Sequence, residues 1–181
     1  MTDTRVLVLV GSLRAESVNR RLAKHLEANA PAGVTVEIVE GLADVPFYSE
    51  ELDGEQIPAA AQALREKIAG GDGVLAITPE YNGTMPAVLN NAIDWLSRPY
   101  GQGALTGKPF AAVGATPTPY GGKWSHEDAR RSAKVAGAVV LDHIEVSHGY
   151  SDVDPVADAE VTTKLLGAVA ALASHQGESA A

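Results

Sequence analysis

The chain has 181 residues, of which 45% are hydrophobic, with a formal net charge of -9 and no cysteine. This length and composition fit one domain that builds its own core, residues 1–181, while the missing cysteines exclude disulfides, thiol nucleophiles and Cys-ligated metal. A pI near 4.9 with no basic stripe argues against nucleic acid. No apolar run approaches the ~20 residues of a membrane span and the start lacks a secretory h-region, so a cytoplasmic protein is expected.

Taken in order, the apolar run at residues 6–10 marks a first strand over roughly 5–10. A helix over 18–29 follows, with Val18, Leu22 and Leu26 on one stripe. Residues 34–39 alternate with period two, as a strand near a sheet edge does. After a loop over 41–55, Ile57, Ala61, Leu64 and Ile68 mark a second helix that Gly70-Gly71 stops. Residues 73–78 are continuously apolar, the signature of a strand covered on both faces. A third helix spans 86–97, a fourth strand 109–115, a fourth helix 124–137 and a fifth strand 138–146. Asp154-Pro155 reads as the cap and first turn of a last helix carrying Val161, Leu165, Val169 and Leu172, and the tail from about residue 175 is expected to fray.

Strands alternating with helices predict an α/β fold: a five-stranded parallel sheet with helices on both faces, in the order 2-1-3-4-5. In that order the chain reverses direction between strands one and three, and ligands bind in the crevice at their carboxyl ends. The loops that flank it are residues 11–17 and 79–85, the two most unusual segments of the sequence. Ser12, Arg14, Ser17 and Asn19 at the start of a helix suit an anionic group, although Ser17 as a plain cap and Gly11 as a plain turn account for the same letters. Pro79-Glu80-Tyr81-Asn82-Gly83 is stiffened by Pro79 and Pro86 and offers an aromatic, an amide and a glycine that a flat ring can approach; a rigid turn is the alternative. A third loop with Thr116, Gly121 and Gly122 reaches the same end of the sheet.

Other chemistries find no support. The five histidines lack the spacing of a metal site, and His126, Glu127 and Asp128 are adjacent on a helix and so point apart. The acidic residues 152–160 are read as a solvated helix start. There is no G-x-S-x-G elbow, no Walker sequence and no G-x-G-x-x-G after the first strand.

Gly11-Ser-Leu-Arg14, Ser17-x-Asn19, Pro79-Glu-Tyr-Asn-Gly83 and Leu89-Asn-Asn-Ala-Ile-Asp-Trp-Leu96, with Gly107-Lys-Pro109, resemble the NAD(P)H-dependent FMN reductases and the related quinone, azo-dye and chromate reductases. The similarity runs over most of residues 5–150. It implies a flavodoxin-like three-layer sandwich that binds FMN non-covalently. By resemblance the phosphate would sit on Ser12, Arg14, Ser17 and Asn19, and the rings against Pro79, Glu80, Tyr81, Asn82 and Gly83, with Thr116, Gly121 and Gly122 toward the pyrimidine side. It also implies ping-pong hydride transfer from NADPH or NADH to flavin and on to quinones, free flavin or similar flat acceptors, with no catalytic side chain required. A homodimer or homotetramer is implied too. Trp95 fits either the crevice or the core. A flavodoxin-type electron carrier, or a flavin-binding regulatory protein, is the competing reading.

Overall fold

The computed structural model describes residues 3–175, and the C-terminal residues 176–181, where most of the expected frayed tail falls, lie outside them. The strands are β1 (Thr4–Val10), β2 (Val34–Ile38), β3 (Gly73–Ile77), β4 (Pro109–Thr116), β5 (Val139–Val140) and β6 (Ser147–Gly149). The helices are α1 (Val18–Ala28), α2 (Ala59–Ala69), α3 (Ala87–Leu96), α4 (Lys123–Val135) and α5 (Ala159–Ser174). The sheet runs β2-β1-β3-β4-β5 with every pair parallel, the flavodoxin-like order, and β6 extends the same edge of β4.

The strand period of two sorts the core into two layers. Val6, Val8 and Val10 of β1, with Leu75 and Ile77 of β3, pack against Leu22 and Leu26 of α1 and Leu165 and Leu172 of α5. Leu7 and Leu9 point the other way and meet Ile68 of α2, Leu89 and Ile93 of α3, and Ala129 of α4. Every residue of β3 and β4 is buried, whereas edge strand β2 alternates. Burying a Leu or Ile side chain contributes about 1.5–3 kcal/mol each, so these two layers carry the stability of the fold. Among the described residues no helix is long and apolar enough to cross a membrane.

Two expectations are corrected. The fifth strand is not continuous over 138–146: a turn in which the Ile144 amide donates to the Leu141 carbonyl separates β5 from β6. β5 pairs with Pro109 and Phe110, and β6 pairs with residues 114–116, which leaves Ala112 facing a gap. Buried Arg130 fills it, its Nη1 donating to the Ala112 carbonyl at 3.3 Å. The last helix starts at residue 159, not after Asp154, because Asp158 is its cap: Asp158 Oδ1 accepts from the amides of Glu160 (2.9 Å) and Val161 (3.3 Å).

Candidate functional site

β1 and β3 sit side by side and deliver their following loops to one edge of the sheet. The two loops touch at Gly11, where a Cβ would lie 2.2 Å from Thr78 Oγ1, so only glycine permits this approach. Between them opens a recess of about 290 Å³ whose walls include Ser12, Arg14, Ser17, Pro79, Tyr81 and Thr116. It is small for a ligand site but open to solvent along one side. A recess of about 340 Å³ beside α2 is walled chiefly by apolar Val39, Leu42, Val45, Ala60 and Leu64. Volume therefore does not single out the site; the donors do.

Ser12 and Ser17 are each 5% exposed. Ser17 stands at the N-cap of α1 with extended backbone, yet its hydroxyl makes no capping bond. Neither hydroxyl bonds to another group among the described residues; no buried side-chain oxygen there lacks a partner, so both hydroxyls reach solvent, and both residues line the recess. Two hydroxyls free to turn toward a ligand, with the unpaired first amides of α1 and an exposed guanidinium at Arg14, form a donor set suited to a phosphate monoester. Glu16 and Arg21 also border the recess, and Arg21 is paired with Asp154. That bond raises the Arg21 pKa and lowers that of Asp154. Arg21 was legible in principle, since it lies one helical turn after Ser17 on the same face.

Asn19 borders the recess, but its amide is committed to the fold. Its Nδ2 donates to the Ala115 carbonyl and its Oδ1 accepts the Ala115 amide, both at 2.9 Å. It thereby ties α1 to the end of β4. In the second loop Asn82 (φ 54°) and Gly83 (φ 75°) form the two-residue tip of a tight hairpin closed by Tyr81 and Thr84, which exchange backbone bonds at 3.0 and 3.1 Å. The tip residues stand off the recess wall, while Pro79, Glu80 and half-exposed Tyr81 form it. Glu80 turns its carboxylate to the start of α4, accepting from the Trp124 and Ser125 amides. Thr116 is on the wall and shares a 2.9 Å hydrogen bond with Thr118. Gly121 and Gly122 are not on the wall: they pack behind it against Ser147 and against Thr116 and His126.

Tyr150 also borders the recess and escaped the sequence reading, because only the pairing of β6 with β4 brings it there; its amide donates to the Thr116 carbonyl. Trp95 is fully buried and belongs to the core. Its Nε1 donates to the Pro46 carbonyl at 2.7 Å, Tyr48 meets it edge-on, and the Arg65 guanidinium lies 5.2 Å from its ring centroid. Asn91 holds the same loop through Tyr48, Val45 and Pro46. The Asn-x-x-x-Trp part of the third helix thus fixes a loop and does not face the recess. Among the described residues no cluster of three or more His, Asp or Glu is placed to hold a metal.

A parallel sheet of order 2-1-3-4-5 with its recess at the β1/β3 reversal places the protein in the flavodoxin-like class. Within that class the chain belongs to the NADPH-dependent FMN reductase family, whose model matches residues 4–152. It is 46% identical over 127 residues to a quinone reductase of Pseudomonas putida, covering 70% of this chain and 68% of the relative. It is 37% identical over 152 residues to a 2-hydroxy-1,4-benzoquinone reductase of a Burkholderia species, covering 83% and 82%. Among solved structures it resembles FerB, a flavoenzyme NAD(P)H:(acceptor) oxidoreductase from Paracoccus denitrificans, with 31% identity, a TM-score of 0.84 and coverage of 96% and 97%.

Proposed function

We propose that the protein is an FMN-dependent NAD(P)H oxidoreductase whose acceptors are quinones, free flavin and similar flat molecules, and that FMN occupies the recess between the loops after β1 and β3. The single observation that carries this reading is the pair of serines, Ser12 and Ser17, each 5% exposed and with a hydroxyl that has no partner among the described residues, in one recess with Arg14 and with the stiff loop of Pro79 to Tyr81. The quinone reductases related to it at 37–46% identity support the acceptor class.

When bound, FMN would supply the redox chemistry, a two-electron path between NAD(P)H and the acceptor. The protein's own contribution is positional. Ser12, Ser17, Arg14 and the first amides of α1 would hold the phosphate dianion, and one guanidinium beside neutral donors would offset the acidic surroundings of a chain with net charge -9. Pro79 and Tyr81 offer an apolar edge held in shape by the hairpin behind it. Glu80, which would repel a reduced and negatively charged ring, has its carboxylate directed at the α4 amides. No side chain is assigned an acid or base role.

The same reading takes the chain as one domain, placed in the cytoplasm, where a cysteine-free protein is at home. It also takes the protein as a homodimer or homotetramer. The groove of about 310 Å³ between α3 and α4, flanked by exposed Tyr100 and Val135, supports that assembly. The test is spectroscopic: purified protein is yellow or turns yellow with added FMN, and anaerobic NADPH or NADH bleaches it. Benzoquinone then restores the colour. A preparation that takes up no flavin from excess FMN rules the reading out, and one that binds flavin but resists both nicotinamides is a carrier.

A further inference from the structure

Pro79, Glu80 and Tyr81 form one side of the recess, and α4 grips the segment that carries them at Thr78, Pro79, Glu80 and Thr84. The first turn of α4 faces it residue by residue. The amides of Trp124 and Ser125 donate to Glu80 Oε2 at 3.1 and 3.3 Å. Ser125 Oγ donates to the Pro79 carbonyl at 2.8 Å, and His126 Nε2 donates to the Thr78 carbonyl at 3.1 Å. Asp128 then accepts from Thr84 Oγ1 at the far end of the hairpin. Ser125 and His126 are both fully buried.

The imidazole is itself locked from behind. Since Nε2 faces a carbonyl it carries the proton, so Nδ1 accepts from Ser147 Oγ of β6 at 2.7 Å. There is no slack below it: a Cβ on Gly114 would lie 2.3 Å from the Thr78 carbonyl oxygen and 2.9 Å from His126 Nε2. A core of this kind packs well with leucine, and burying a polar ring with two satisfied bonds gains little stability over an apolar replacement. What the polar pair adds is a fixed position for two successive carbonyls of the recess loop.

We propose that Ser125 and His126 are positioning residues, which hold residues 78–84 in their ligand-ready shape before any flavin arrives and so reduce the entropy that binding would otherwise cost. The grip is a property of the chain alone; what it serves rests on the flavin reading given above.

Amide hydrogen exchange of the flavin-free protein, paired with FMN and riboflavin titrations, tests this. In Ser125→Ala and His126→Leu, the Tyr81 and Thr84 amides that close the hairpin exchange about tenfold faster, while amides of β1 keep their wild-type rate. Affinity for FMN and for riboflavin falls by the same factor, about tenfold, because the phosphate donors are untouched. His126→Gln, which retains an N–H donor, returns both readouts to within about threefold of wild type. Unchanged exchange at Tyr81 and Thr84 in folded variants overturns the proposal, as does exchange that quickens equally across β1, β3 and β4. If His126→Leu does not fold, Ser125→Ala decides alone. A wild-type protein that binds no flavin but shows the exchange pattern keeps the positioning role and loses the flavin reading.

Discussion

His126 has a consequence beyond the recess. Burial pushes its pKa down from 6.5 to about 4, with the nearby Arg130 charge adding to the effect and the Thr78 bond opposing it. The folded protein therefore keeps it neutral over a range where the unfolded chain protonates it. Between pH 6.5 and about 4 the unfolded state binds more protons, so stability falls as pH falls, by roughly 3 kcal/mol in total for this one group. Above pH 6.5 both states are neutral and the penalty vanishes. Urea unfolding at pH 7 and pH 4.5 is expected to show a shallower acid loss for His126→Gln than for wild type; equal slopes would mean the ring is not the group that titrates. Arg14 acts at the other loop. Arg14→Ala is expected to weaken FMN by about 1.5–3 kcal/mol, the size of a charged hydrogen bond, and to leave riboflavin affinity unchanged. Flavin fluorescence titration reads both, and an equal loss for the two flavins would move Arg14 away from the phosphate.

At the scale of elements, the two aspartates before α5 make separable predictions. Asp158 caps the helix through two amides, so Asp158→Ala is expected to cost about 1 kcal/mol in urea unfolding. Asp154 binds the Val156 amide and pairs with Arg21 at the surface, so Asp154→Ala shifts the midpoint by less than Asp158→Ala does. The reverse ranking would restore the sequence expectation. That expectation failed for a physical reason: Asp154-Pro155 has the letters of a helix start, but Pro155 opens a single turn closed by the Ala157 amide on the Asp154 carbonyl. The sheet order was legible because residues 6–10 of β1 and all of β3 are continuously apolar and β2 alternates, which ranks them centre and edge. The broken fifth strand was not, because only the pair Asp142-His143 interrupts an otherwise strand-like stretch of β-branched and apolar residues, while the turn there shifts the register by which Ser147 reaches β4. In the recess, Ser12, Arg14 and Ser17 could be read from one short loop. Tyr150, Ser125 and His126 could not, since their places depend on pairings and packing between segments distant in sequence.

At the scale of the whole molecule, the recess joins parts of the chain that the fold brings together and nothing else does: the loop after β1, the hairpin after β3 and the segment after β4. A ligand held by all three stabilises the entire folded state by mass action. At FMN a hundredfold above its dissociation constant the gain is about 2.7 kcal/mol, which for a domain of this size raises the melting temperature by roughly 5–10 °C. Riboflavin at the same concentration lacks the phosphate contacts and is expected to raise it less. Arg14→Ala should bring the FMN shift down toward the riboflavin shift, while Ser125→Ala lowers both together. Differential scanning fluorimetry without and with each flavin separates the cases. The phosphate end and the ring end then appear as independent contributions to one unfolding transition; an FMN shift no larger than that of riboflavin in the wild-type protein would show that Ser12, Arg14 and Ser17 hold no phosphate.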